Sequence, residues 1–272
     1  MNHRPRIACC CLALLLSVSV VLSQKMKPEE LVAKHLEAFG DAQAREEWET
    51  NVIEGEARLE FIVGGSGGLT GTALFYSQGP MFRLNLGFQH PVYGGEDIVF
   101  DGKDFVVRHS TPAARSPLGE FLHQYNSLLK EGLLGSVLST AWPLTNIQEF
   151  KPKLRYEGLK DIDDQQLHRM RYEQRKGGQG VRVRLFFEPE TCRHLMTTYD
   201  IEITSPIEGD RRTPMFKRTI YKLQEQFSDF VTREGLSFPS KWNIRYSQEG
   251  DTSMLWEWSI DCAQITVNED FN

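Results

Sequence analysis

The 272-residue sequence is marked first by what it has little of. It carries no HExxH and no lone cysteine in a protease-type context, and its one GxSxG match, Gly64–Gly68, joins two strands rather than a strand and a helix, so nothing in it points to the zinc-peptidase, serine-hydrolase or thiol-protease chemistries. It holds five cysteines, and Cys9, Cys10 and Cys11 fall inside the first eleven residues. Cys192 and Cys262, 70 residues apart, do not make a disulfide framework. Cys192 and His194 are the nearest approach to a ligand pair. His35, His90, His109, His123 and His168 are scattered, so the three or four ligands of a zinc site are missing and no cofactor is expected. Positive charge is short: 31 Lys and Arg stand against 37 Asp and Glu, a balance that argues against nucleic acid as partner. After residue 23 no apolar run is long enough to span a bilayer as a helix. No internal repeat and no low-complexity linker appears.

What is present begins at the N-terminus. "MNHRPR" supplies Arg4 and Arg6, "IACCCLALLLSVSVVL" runs sixteen residues without charge, and "VLS" ends on small or medium side chains. This is the three-part pattern of a secretory signal peptide, with cleavage expected after Ser23. The competing reading is an uncleaved anchor. Cleavage removes two Arg and no acid, leaving 29 basic against 37 acidic side chains. An exported chain of residues 24–272 is then expected to fold as a single domain. An oxidising compartment permits a Cys192–Cys262 disulfide, and two buried free thiols suit the sequence equally.

"KPEELVAKHLEAFG" reads as a helix, with Pro28 in the first turn, Glu29 and Glu30 at the positive end of the dipole and Gly40 at the C′ position. Asp41 is a candidate N-cap for a second short helix. From Asn51 the period becomes two. Ile53, Ala57, Leu59 and Phe61 alternate with Glu54, Glu56, Arg58 and Glu60, as in an antiparallel strand with one wet face. "LTGTALFYSQ", "MFRLNLGF" and a hairpin around Asp101-Gly102 follow. After residue 150 the strands resume in a long series, for about ten or eleven in all. The polar stretch Thr204–Phe216 reads as a loop. So many strands in a meander must close, split or be covered. The expected fold is therefore mainly β with inserted helices: a strongly curved antiparallel sheet, a half-open barrel, with helices covering its concave face.

Two features invite functional readings and have plainer ones. "GGSGG" (64–68) joins two strands rather than opening a helix, so it is a hairpin loop and not a phosphate cradle. The hairpin holding Arg169, Arg171, Arg175, Lys176, Arg182 and Arg184 is either a docking face for an acidic partner or a solvated face balanced by Glu157, Asp200 and Glu202. Strand register decides whether the two arms pool their charge, with Arg182 and Arg184 beside Arg171 and Arg175 or, after a slip of one residue, beside Met170 and Tyr172.

The insert "RSPLGEFLHQYNSLLKEGLLGSVLSTAWPL" is different. Ser116 can cap, Pro117 suits the first helical position, and Leu118, Phe121, Leu122, Tyr125, Leu128 and Leu129 recur at helical spacing. Leu133, Leu134, Val137, Leu138, Ala141 and Trp142 continue the pattern past Gly132. The apolar arc is wider than contact with one sheet face requires. Leu118, Phe121, Leu122, Leu129, Leu133, Leu134, Val137, Leu138 and Trp142 are accordingly the candidate lining of an apolar ligand site. The helix is either a movable lid or a fixed plug.

With the signal segment, "EELVAKHLEAFG", this insert, "LRYEGLKDID", "LFFEPETCRHLMTTYDI" and "FSDFVTREGLSFPSKWNI" in order, the chain resembles the bacterial lipoprotein-carrier and lipoprotein-sorting group (LolA-like) across about 240 residues. The resemblance implies a half-open barrel closed by helices, a periplasmic location, and a cavity for the acyl chains of lipoproteins or lipids. It also implies an Arg near the lid, which no motif here assigns. The expected function is non-catalytic carriage of acylated ligands, in lipoprotein sorting to the outer membrane. The alternative from another class is an envelope-stress sensor or interaction module that binds an envelope protein by its surface.

Overall fold

The computed structural model describes residues 26–108, 114–175, 180–207 and 215–269. The expected signal peptide, His109 and Lys176 lie outside the described residues. Twelve strands form one antiparallel sheet: β1 (Thr50–Val63), β2 (Gly68–Gln78), β3 (Met81–Phe88), β4 (Gly95–Phe100), β5 (Phe105–Val107), β6 (Lys153–Ile162), β7 (Gln165–Glu173), β8 (Arg182–Phe187), β9 (His194–Ile207), β10 (Met215–Arg233), β11 (Leu236–Glu249) and β12 (Met254–Val267). The order across it is β5-β4-β3-β2-β1-β12-β11-β10-β9-β8-β7-β6.

One consequence of this order governs the rest of the molecule. The first and last strands pair in the middle of the sheet, so β5 and β6 become its two free edges. The chain between Val107 and Lys153, which holds the apolar insert, is therefore the crossover from one edge to the other. It takes the concave side, where most of the buried apolar residues of the strands gather, while Leu167, Phe186 and Met196 form a smaller cluster of their own. On β1 Ile53, Ala57 and Leu59 are buried while Glu54, Arg58 and Glu60 meet solvent, the alternation read from the sequence. The sheet curves without closing into a barrel. The β5 edge is short and packs against the insert's first helix. The β6 edge is broken by a bulge at Gly158 and carries Lys153 and Lys160, devices that discourage pairing with another chain.

Helix α1 (Pro28–Phe39) forms as expected, with Glu30 and Lys34 paired at 2.9 Å across one turn. It buries Leu31, Val32, His35 and Phe39. Phe39, Trp48 and Phe238 meet edge to face at 5.1 to 5.9 Å and close that end of the concave side. Gly40 is not the left-handed cap that its position suggests. Its backbone is extended (φ 169°), and it is glycine because a Cβ there would sit 2.6 Å from the Leu236 side chain. Asp41 does cap α2 (Ala42–Glu46), accepting from the Ala44 amide at 2.8 Å.

Three expectations are corrected. Among the described residues the strands number twelve, because even the three-residue β5 pairs with β4. Of the Thr204–Phe216 stretch expected as a loop, the residues to Ile207 belong to β9 and those from Met215 to β10, and 208–214 lie outside the described residues. The insert is not a helix to Pro143. It holds α3 (Pro117–Gln124), α4 (Ser127–Lys130), a 3-10 turn at Ser136–Leu138 and, past Pro143, α5 (Ile147–Phe150). The helical pattern fails at Gly132 and Gly135, with φ of 69° and 83°. A Cβ on Gly132 would lie 2.0 Å from the Ala141 carbonyl oxygen, so the chain folds back on itself there. The apolar arc is wide because the segment is packed on all sides.

Cys192 and Cys262 are both free and buried. Burial pushes the Cys262 thiol up to about 12, which makes it inert at neutral pH.

Candidate ligand-binding site

The insert lies along the concave face as a strap. All nine candidate lining residues are buried, none more than 3 % exposed, and all join one core with side chains of the sheet such as Phe75, Leu84, Trp242 and Ile244. They fill the concave side rather than line a void.

Polar contacts pin the strap along its length. The Asn51 side chain donates to the Leu138 carbonyl at 2.7 Å, and the Thr140 amide donates to Ser77 Oγ at 3.1 Å. The Gly135 amide donates to Glu225 at 2.8 Å. Trp142 Nε1 donates to His35 Nε2 at 3.1 Å, and Tyr172 donates to Glu131 at 2.8 Å. Each partner outside the strap sits on α1 or on an inward-facing strand position, and no single one was legible in the sequence. Glu225, on the concave face of β10, alternates correctly with Leu223 and Phe227, so only its burial distinguishes it from an exposed strand glutamate.

These anchors are titratable groups in an apolar setting. Burial raises the Glu225 carboxyl to about 7, against the opposing hydrogen bonds from Tyr199, Gly135 and Trp242. Glu96, beside the first turn of α3, is raised to about 7 by the same cause. Burial lowers His35 to about 4 and holds His194 well below the usual histidine range, so both rings are neutral.

Ser136 Oγ lies 2.6 Å from His194 Nδ1, the spacing of a nucleophile and its base. The rest of that machinery is absent from the pair. His194 Nε2 meets the Thr197 hydroxyl at 3.1 Å rather than a carboxylate, and both Ser136 and His194 are sealed under the strap. The contact holds the strap and offers no room for a substrate.

Open space borders the strap at α3 and also beside α4 and α5. Between α3 and strands β10–β12 lies a cleft of about 320 Å³, within the size range of small-ligand sites. Phe121, Tyr125, Tyr221, Tyr246 and Met254 form its walls, and Arg115, Glu120, Gln124 and Gln248 its rim. Phe121 packs edge to face on Tyr246 at 5.9 Å. It is the one predicted lining residue that borders this cleft, so it connects the open space with the covered core. Tyr125, Tyr221, Tyr246 and Met254 were missed, because the three strand residues gather here only through the pairing of β10, β11 and β12.

The basic hairpin resolves toward its plainer reading. Arg171 stands opposite Arg184. Arg184 pairs with Asp200 at 2.6 Å, Arg169 with Glu157 at 2.7 Å and Arg171 with Glu173 at 3.0 Å. Glu202 serves Arg218 at 2.7 Å and Arg182 at 4.0 Å. All three balancing acids named from the sequence are engaged.

No family model matches the chain, and no curated protein matches it. Among solved structures it is similar to a LolA superfamily protein from Nitrosomonas europaea, at 11% identity and a TM-score of 0.47, covering 91% of this chain and 96% of that one. It is similar to an outer membrane lipoprotein-sorting protein domain from Vibrio parahaemolyticus at 10% identity and a TM-score of 0.46, covering 90% and 95%. A DUF1329 family protein from Desulfovibrio piger follows at 12% identity and 0.45, covering 91% and 96%. Two of these carry the name of the group that the sequence resembles. None reaches a TM-score of 0.5, so function rests on the chain's own residues.

Proposed function

We propose that this protein is a non-catalytic carrier that takes an acyl-type ligand onto the concave face of its sheet. The observation that supports this is the juxtaposition of an aromatic cleft with the apolar underside of the strap, Phe121 belonging to both. The ligand enters at Tyr221, Tyr246 and Met254 and extends inward as the strap shifts. Leu118, Phe121, Leu122, Leu129, Leu133, Leu134, Val137, Leu138 and Trp142 then line its path. The strap in this reading is a lid, and its closed position is the ligand-free one. Each buried methylene contributes about 0.8 kcal/mol, so about ten of them would give a micromolar complex without a polar anchor. The cargo is the acyl chain of a lipoprotein or lipid in the periplasm, moved toward the outer membrane.

Uptake of a fluorescent long-chain fatty acid tests the site. The wild-type protein is expected to bind it with displacement by palmitate. Met254→Asp, which places a carboxylate in the part-exposed mouth, should weaken binding at least tenfold while leaving the thermal transition in place. Binding unchanged by Met254→Asp, or no uptake by the wild type, would sink the proposal. Leu134→Asp is a poor probe, since it buries a charge in the core and would damage the fold itself.

Export is checked separately. Protein recovered from a bacterial periplasm should begin at Gln24 by intact mass. A chain retaining residues 1–23 would favour the anchored form.

A further inference from the structure

Tyr199, on β9, sits between two oxygens that both require its proton. Its hydroxyl is 2.6 Å from Glu225 Oε2 and 2.9 Å from the strap's Leu133 carbonyl. A phenol has one proton to donate. Were Glu225 ionised, Tyr199 would serve the carboxylate and leave the Leu133 carbonyl, which has no other donor among the described residues, unpaired in the core. Were Glu225 protonated, its O–H would donate to the Tyr199 oxygen, and Tyr199 would donate to Leu133. Glu225 Oε1 would go on accepting from the Gly135 amide at 2.8 Å and Trp242 Nε1 at 3.0 Å. The protonated arrangement satisfies every group and buries no charge. The ionised one does neither, and Glu225 has no cation paired with it among the described residues.

We infer that Glu225 carries a proton in the closed protein, and that the relay Glu225–Tyr199–Leu133 makes strap closure proton-linked. Two consecutive turns of the strap depend on it, through the Leu133 carbonyl and the Gly135 amide. The surroundings supply no competing charge. His194 on β9 is neutral and bonded to Ser136, His35 on α1 is neutral and bonded to Trp142, and Trp242 on β11 is only a donor. Tyr172 on β7 faces Tyr199 and is bonded to Glu131 of the strap. As regulation of the acyl site the relay rests on the reading above; as a property of the ligand-free protein it does not.

The sign follows from linkage. Burial raises Glu225 to about 7 from the usual 4.5, so the closed state binds the proton more tightly than an opened one. Its contribution is fully present below about 4.5 and is lost as pH rises to about 7. The two histidines have lowered values and act in the opposite direction, loosening the strap on acidification. Glu96 shares the sign of Glu225 but sits at the other end of the strap, against α3, with Tyr93 donating to it at 2.6 Å.

Two ligand-free measurements test this. Infrared spectra of the wild type at pH 6 should show carboxylic-acid C=O absorption from both Glu225 and Glu96, and Glu225→Gln should remove a component that Glu96→Gln leaves. Hydrogen-exchange protection at Leu133–Leu138, corrected for intrinsic exchange, should fall in the wild type relative to Glu225→Gln by up to about tenfold per pH unit between pH 5 and 7. Glu225→Gln, whose amide keeps the neutral donor and acceptor pattern, should lack that added fall and retain only the dependence set by the histidines and Glu96. A carboxylic-acid band unchanged by Glu225→Gln, or the same pH slope in that variant, would overturn the relay. Should Glu225→Gln not fold, Tyr199→Phe gives the second reading. It removes the acceptor of the carboxyl proton and should shift the band; an unmoved band would overturn the relay equally.

Discussion

Replacing Trp142 by alanine is expected to lower the unfolding free energy by about 3–5 kcal/mol. Trp142 is fully buried at the centre of the strap, its ring 5.0 Å from that of His194 and its Nε1 bonded to His35 on α1. One side chain thus ties three parts of the fold together: strap, sheet and first helix. Truncation removes the apolar contact area, leaves a void the neighbours only partly fill, and takes from His35 Nε2 its donor. A domain is stabilised by only about 5–15 kcal/mol, so the loss would consume much of the margin. Urea unfolding should show a lower midpoint with an unchanged slope. Trp142→Phe, which keeps a ring and loses the N–H, should cost roughly half as much. A loss under 1 kcal/mol for Trp142→Ala would mean that the strap contributes little to the fold and is displaced at small cost. The size of this effect therefore measures the distance between lid and plug.

Gly132→Ala is the second large effect, expected to destabilise by roughly 3–5 kcal/mol, combining left-handed strain with overpacking. The residue has φ 69°, and an added Cβ would lie 2.0 Å from the Ala141 carbonyl oxygen and 2.6 Å from its carbon. Neither contact is with a flexible side-chain end, so relief requires moving the backbone that carries Trp142. Gly67→Ala supplies the control. Gly67 has φ 85° in the β1–β2 loop with open space around the added atom, so it should cost only about 1 kcal/mol, the conformational part alone. Thermal unfolding of the two variants side by side separates strain from collision. Equal shifts would show that the strap relaxes around the methyl group, and that its turn at Gly132 is not fixed by packing.

Much of the architecture was written locally. The period of two from Asn51 onward, the Asp101 turn and the capping residues Asp41 and Ser116 each state a preference that neighbours in sequence can satisfy. The insert was legible as apolar and misread as a long helix. Spacing of three and four is shared by a helix and by a compact run of turns buried on every side. Gly132 and Gly135 stand in plain sight within the apolar spacing, but the carbonyl that forces Gly132 to be glycine belongs to a residue nine positions later. The cleft was not legible, because Tyr221, Tyr246 and Met254 come from three strands whose register no single strand specifies.

By itself, then, the sequence determined the class of fold, the apolarity of the crossover and the poverty of catalytic groups, since all three are properties of composition and short-range period. The tertiary structure alone decided that β1 and β12 meet at the sheet centre, which turns the insert into a strap from edge to edge. It alone decided that Glu225, one strand glutamate among many, faces inward onto Tyr199 and the strap. Burial and hydrogen-bond partners depend on residues distant in the chain, and those distances close only when the sheet curves around the strap.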